Sequence, residues 1–204
     1  MSISKRDGLG IIPEQIKGKA VDAVSSYMAA DEPEAISFYQ VVKKRLLAVN
    51  EWHQVAGIIS AAFQLTDAQG NEITNTAHEG FHIRIDIPGP GSKKGGGYDW
   101  VKIEQLSEVM DGSSDSIGFR VRPSSNPKTG GNIAHFYSPD ATSSFVISRK
   151  FKAIDVCIAD RNLLPNKKTE SLTDSIRHTV VGTAAMDVFS KFQWQNLADG
   201  LIKL

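Results

Sequence analysis

Three short apolar runs carry charged side chains at alternating positions. Arg84 and Asp86 sit in FHIRIDI, Trp100, Lys102 and Glu104 in WVKIE, and Arg120 and Arg122 in IGFRVRP. Successive side chains on a strand point to opposite faces, so these residues are expected on one side of a sheet. Arg84, Lys102, Arg120 and Arg122, with Trp100 beside them, are the candidate ligand contacts. A guanidinium binds carboxylate or phosphate through paired hydrogen bonds, which suits an anionic ligand. The same pattern also describes a solvated face whose charges pair across strands, each pair worth ~0.2–1 kcal/mol.

Other residue types point away from catalysis. The five histidines, His53, His78, His82, His135 and His178, contain no His-Glu-x-x-His spacing. His78 and His82 would stand ~13 Å apart on a strand, too far to share a metal. No metal and no cofactor are expected. Cys157 is the single cysteine, which rules out a disulfide within the chain and favours a small packed residue over a nucleophile. Ser138, Ser143 and Ser144 lack the Gly-x-Ser-x-Gly elbow. The loop Gly89–Gly97, GPGSKKGGG, is rich enough in glycine to cradle phosphate. It leads into the strand-like Tyr98-Asp99-Trp100-Val101 rather than a helix, and the Walker spacing is absent. A flexible hairpin loop is the simpler reading. Tyr98, Trp100, Phe136 and Tyr137 could stack on single-stranded nucleic acid. However, 23 basic and 23 acidic residues cancel, so nucleic acid is not an expected partner.

The elements that must position these residues follow from periodicity. Residues 1–12 read as a loose arm, and 13–204 as a single domain. A helix is expected from Pro13, with Ile16, Ala20, Val24, Tyr27 and Met28 as its stripe. A second helix should open at Asp31-Glu32-Pro33-Glu34, a capping-box pattern, and run to Asn50 or Trp52. Strands are expected over 58–65, 72–76, 81–87, 98–104, 117–122, 133–137, 145–147 and 154–158. Turn residues separate them at Asp67–Asn71, Asp111–Asp115 and Ser138–Asp140. A helix capped by Thr173 closes the chain. Phe189, Phe192 and Trp194 on it are candidate interface residues, able to dock on the sheet or meet another copy.

The expected fold class is therefore α+β. A curved antiparallel sheet or partly open barrel of about seven strands would carry two N-terminal helices and one or two C-terminal helices. With 41% hydrophobic and 23% charged residues over 204 positions, the chain can bury a sizeable core. No apolar run approaches ~18 residues, so no membrane partner is expected. A cytoplasmic location is the default, since no secretory leader is visible.

This order of helices, curved sheet and long C-terminal helix resembles helix-grip ligand-binding proteins. Those wrap a sheet around a helix and enclose an apolar pocket. The chain departs from them in placing both early helices before any strand, and no motif residue carries over. Two functions follow as expectations. The first is a non-enzymatic binding or assembly protein, with an unknown protein partner or a homo-oligomer. The second is a carrier of a small apolar or anionic ligand, which the resemblance implies. Hydrolysis through Cys157 or a serine is the remaining alternative.

Overall fold

A computed structural model describes residues 8–57, 61–87, 95–166 and 180–204, with the side chains of 180–189 excepted. The chain opens with strand β1 (Lys19–Met28), then helices α1 (Glu32–Leu47) and α2 (Trp52–Ala56). Six strands follow: β2 (Ala62–Thr66), β3 (His82–Asp86), β4 (Asp99–Met110), β5 (Ser114–Pro123), β6 (Thr142–Lys150) and β7 (Ala153–Leu163). Helix α3 (Val180–Leu201) closes the order. The seven strands form one sheet in the order β1-β7-β6-β5-β4-β3-β2, with every neighbouring pair antiparallel. The expected fold class, a curved antiparallel sheet with packed helices, is the one observed.

The first element corrects the sequence reading. Residues 19–28 are a strand, not a helix. KAVDAVSSYM fits both periods, because Val21, Ala23, Ser25 and Tyr27 alternate as well as the three-and-four spacing does. Pairing decides the outcome: Ala23 lies opposite Ile158 and Tyr27 opposite Ile154 on β7. Tertiary context overrides a short helical pattern readily. Just before the strand, Gly18 adopts φ 65°, and a Cβ there would meet the Leu163 carbonyl oxygen at 2.2 Å. Only glycine fits that approach. With a strand leading, the order of elements no longer departs from the expected helix-grip pattern.

The capping box at α1 forms. Asp31 Oδ1 accepts from the Glu34 N–H at 2.9 Å, and Glu34 Oε2 accepts from the Ala30 N–H at 2.7 Å. The helix stops at Leu47, earlier than expected, and a 3-10 turn over Val49–Glu51 re-aims the chain into α2. That places Trp52 in the core, its indole N–H on the Leu46 carbonyl at 3.0 Å.

Trp52 also reports the curvature. Its ring lies 5.2 Å from Phe63 on β2 and 4.9 Å from Phe145 on β6. In a flat sheet those two strands would stand about 19 Å apart, four spacings of ~4.8 Å. One indole touches both, so the sheet bends around the helical side. Ile83, Val101, Ile103, Phe119, Val121, Phe145, Ile147, Val156 and Ile158 line the concave face. α1, α2 and α3 cover it, and a Cβ on Gly200 of α3 would meet the Val55 carbonyl oxygen at 2.1 Å.

Further corrections concern the connections. Within the arm expected to be loose, Ile11 and Ile12 are buried against Val146 and Ala159, beside Cys157, on the convex face. Asn162, at φ 59°, holds the segment: its Oδ1 accepts from Ile16 N–H at 2.8 Å and Lys17 N–H at 3.1 Å. Residues 72–76 form only the bridge Thr66–Glu72, and 133–137 form no regular strand. There the chain is pinned instead to its partner segment. Asn166 N–H donates to the Phe136 carbonyl at 2.8 Å, and Asn166 Nδ2 to the His135 carbonyl at 3.1 Å. Thr173, the expected cap of the last helix, lies outside the described residues. Among those described, no helix is long and apolar enough to cross a membrane.

Candidate functional site

The charged face is assembled as the spacing requires. Arg84 lies opposite Trp100, and Lys102 lies between His82 and Arg122. Its chemistry is already committed, however. A bulge between Ile103 and Gln105 turns Glu104 between two arginines. Glu104 Oε2 accepts from Arg122 Nε at 2.6 Å, and Glu104 Oε1 accepts from Arg122 Nη2 at 3.0 Å and from Arg120 Nε. Arg120 Nη1 also reaches the Ile11 carbonyl, and Arg122 Nη1 the Pro139 carbonyl, both at 3.0 Å. Burial raises the Glu104 pKa, but the bonds and charges of the two arginines outweigh it and hold the carboxyl below its ordinary value. Arg84 pairs with Glu72 at 2.8 Å, and its guanidinium lies 4.5 Å from the Tyr98 ring centre. Trp100 is buried, its indole N–H on the Gly95 carbonyl at 2.9 Å, so it presents no ring to a surface ligand. Of the five candidates, Lys102 is the one left exposed.

A second site lies on the opposite side of the sheet. Between the concave face and α3 is a partly open cavity, with about 60 Å³ of space for the centres of water-sized molecules. Its walls are Phe63, Ile83, Ile85, Val101, Val121 and Phe145 from the strands, with Trp52 from α2 and Trp194 from α3. The segment His135-Phe136-Tyr137 completes the lining. Those three rings pack along the chain, His135 stacked on Phe136 with centres 4.4 Å apart and Tyr137 tilted against Phe136 at 4.3 Å.

The cavity holds one buried carboxylate. Asp160 continues the inward alternation of Ile154, Val156 and Ile158 on β7 and is 1% exposed. Its Oδ2 accepts from Ser190 Oγ at 2.8 Å and from Trp194 Nε1 at 2.9 Å, both on α3. Among the described residues its Oδ1 has no partner at full hydrogen-bond geometry, although the Ser143 hydroxyl, opposite Asp160 on β6, is close enough to act on the carboxyl. Arg161 does not pair with the carboxylate: its Nη1 donates to Asp22 Oδ1 at 2.6 Å and to the Asp160 backbone carbonyl at 2.7 Å. Burial pushes the Asp160 carboxyl up to about 6. The hydroxyls of Ser143 and Ser190, the Trp194 indole and the Arg161 charge pull the other way. Nearby, Gln193 Oε1 accepts from the Ala61 N–H at 3.2 Å, tying α3 to the start of β2.

Trp194 therefore faces inward and docks on the sheet, the first of the two roles expected for it. It sits 5.2 Å from Phe145 and 6.0 Å from Phe63. Phe192 is 51% exposed, and the side chain of Phe189 lies outside the described residues. Among those described, no cluster of three or more His, Cys, Asp or Glu could hold a metal.

No protein-family model and no curated protein matches the chain. Several solved structures align over most of it. A hypothetical protein of Helicobacter pylori is 7% identical with a TM-score of 0.48, covering 89% of this chain and 87% of its own. Ginseng major latex-like protein 151 of Panax ginseng is 11% identical at a TM-score of 0.36, covering 85% and 97%. Truncated norcoclaurine synthase of Thalictrum flavum is 8% identical at 0.35, covering 90% and 96%. Likeness at this level assigns neither family nor activity, and the cavity stands on its own geometry.

Proposed function

We propose that the protein is a carrier of a small, largely apolar ligand held between the concave sheet face and α3. The observation that supports this reading is the cavity itself: an open space walled mainly by aromatic and aliphatic side chains. Ligand sites of this kind combine apolar walls with a few placed polar groups. Here the polar groups are Asp160, Ser190, Gln193 and His135. An anionic ligand fits the cavity poorly, because a carboxylate lines it and, among the described residues, no Lys or Arg does. Nor does the convex face favour an anion, since Glu104 already occupies Arg120 and Arg122. Assembly through the C-terminal helix loses Trp194, which is turned into the core.

Native mass spectrometry of the purified protein tests the reading. A carrier shows an added small-molecule mass that disappears after organic extraction and returns when the extract is added back. A protein that is never found loaded, and takes up nothing from the extract, is not a carrier.

A further inference from the structure

The carrier reading leaves the ligand's polar end open, and the cavity supplies a constraint on it. Asp160 has one oxygen held by two donors, while the other meets no donor at full hydrogen-bond geometry among the described residues and has only the Ser143 hydroxyl near it, so the carboxylate is incompletely solvated. Leaving a buried acceptor unmade costs free energy, more so when the group is charged. Among the described residues that line the cavity, none carries a fixed positive charge. Arg161, next along β7, is turned to Asp22 and to a backbone carbonyl. From α3, Ser190, Gln193 and Trp194 face the site, and from β6 Ser143. None of these titrates near neutral pH, and among the described lining residues His135 and Tyr137 are the other titratable groups.

Resting on the carrier reading, we propose that Asp160 is the cavity's anchor and that the ligand class it selects is an amine. That ligand has a small apolar skeleton bearing one protonated amino group. The ammonium donates to the open Oδ1 while the skeleton lies along Phe63, Ile83, Val121 and Phe145. A charge-assisted hydrogen bond in a water-poor site is among the stronger polar contacts a ligand can make. A carboxylate-bearing ligand of the same size is repelled, and an alcohol makes the weaker neutral bond. The carboxyl lying near 6 means that it is mostly ionised in neutral solution and is ready for a cation.

Three probes with one skeleton test this by calorimetry: octylamine, octanol and octanoate. At about pH 7.5, octylamine binds about tenfold or more tighter than octanol, and octanoate binds weakest. Asp160→Asn removes the amine's advantage and leaves octanol within about threefold. Equal affinities for amine and alcohol, or an amine preference that survives in Asp160→Asn, overturn the anchor while the carrier reading stands. Failure of all three probes to bind overturns both. Should Asp160→Asn not fold, the wild-type protein gives the answer. The amine-to-alcohol ratio shrinks as pH is lowered to about 5, because the carboxyl takes up its proton. The shrinkage persists in His135→Gln, which removes the imidazole from the lining. A ratio that stays constant, or that changes only when His135 is present, overturns the anchor.

Discussion

Replacing Asp160 by asparagine changes the pH dependence of stability by an amount that follows from its burial. The carboxyl rises from 3.8 in a solvated chain to about 6 in the fold. At ~1.4 kcal/mol per pH unit, that is a cost of about 3 kcal/mol when the group is ionised in both states. Between the two values the folded protein holds the proton and the unfolded chain has lost it. Stability therefore falls as pH rises through that window, and the full cost is present above the folded value. At about pH 4.5 roughly 1 kcal/mol of it is felt, and at about pH 7.5 all of it. Asparagine cannot ionise, so every other titrating group cancels in the comparison of variant with wild type. Asp160→Asn thus gains about 2 kcal/mol relative to wild type between those two conditions, whatever its absolute effect. Urea unfolding followed by tryptophan fluorescence reads the difference, given matching m-values. A variant-minus-wild-type difference that stays flat across pH, or slopes the other way, refutes the assignment of Asp160 as a buried, strained carboxylate.

Two further substitutions probe the frame around the site. Arg149 is 1% exposed, with its Nε and Nη2 on Asp115 Oδ2 at 2.9 and 2.8 Å and its Nη2 also on the Gly112 carbonyl at 2.8 Å. Asp115→Ala leaves that buried guanidinium with only the more distant Glu32, 3.5 Å from its Nη1, as counter-charge and costs about 3 kcal/mol in urea unfolding. A loss below about 1 kcal/mol would mean that the backbone carbonyls and Glu32 suffice to hold Arg149. Ile11→Ala empties a fully buried position under the N-terminal segment and costs about 2–5 kcal/mol. Amide exchange over residues 8–18 rises in that variant, and unchanged exchange would show that the segment is held by Asn162 instead.

The sheet was largely legible in the sequence because its strands are half-buried and alternate cleanly, with proline as the last residue of β5 at Pro123. The face holding Arg84, Lys102, Arg120 and Arg122 was read correctly from that period. What period-two reasoning cannot supply is whether those charges find partners. The bulge at Glu104 shifts one side chain by a residue and gives both arginines a counter-ion. The strand at 19–28 was misread because ten residues with small apolar groups satisfy two periods at once, and only β7 decides between them. Asp160 was missed for a simpler reason. The expected strand was stopped at Ile158, where the apolar run ends. Two residues further, the same alternation puts an aspartate on the oily face. A charged residue in phase with a buried stripe is the signal that was there to find. The lining formed by His135, Phe136 and Tyr137 had no such signal, since a non-strand segment pinned by Asn166 has no periodicity to read.

The central claim is that the concave face encloses a site for an apolar molecule. The most direct measurement is a fluorescence titration with a neutral naphthylamine dye against the wild-type protein and Val121→Phe. Val121 lines the cavity, and the added ring fills it while the convex face stays untouched. Saturable binding at one site per chain in the wild type, abolished in a folded Val121→Phe, is the outcome expected. No binding by the wild type, or equal binding by both proteins, would contradict the account.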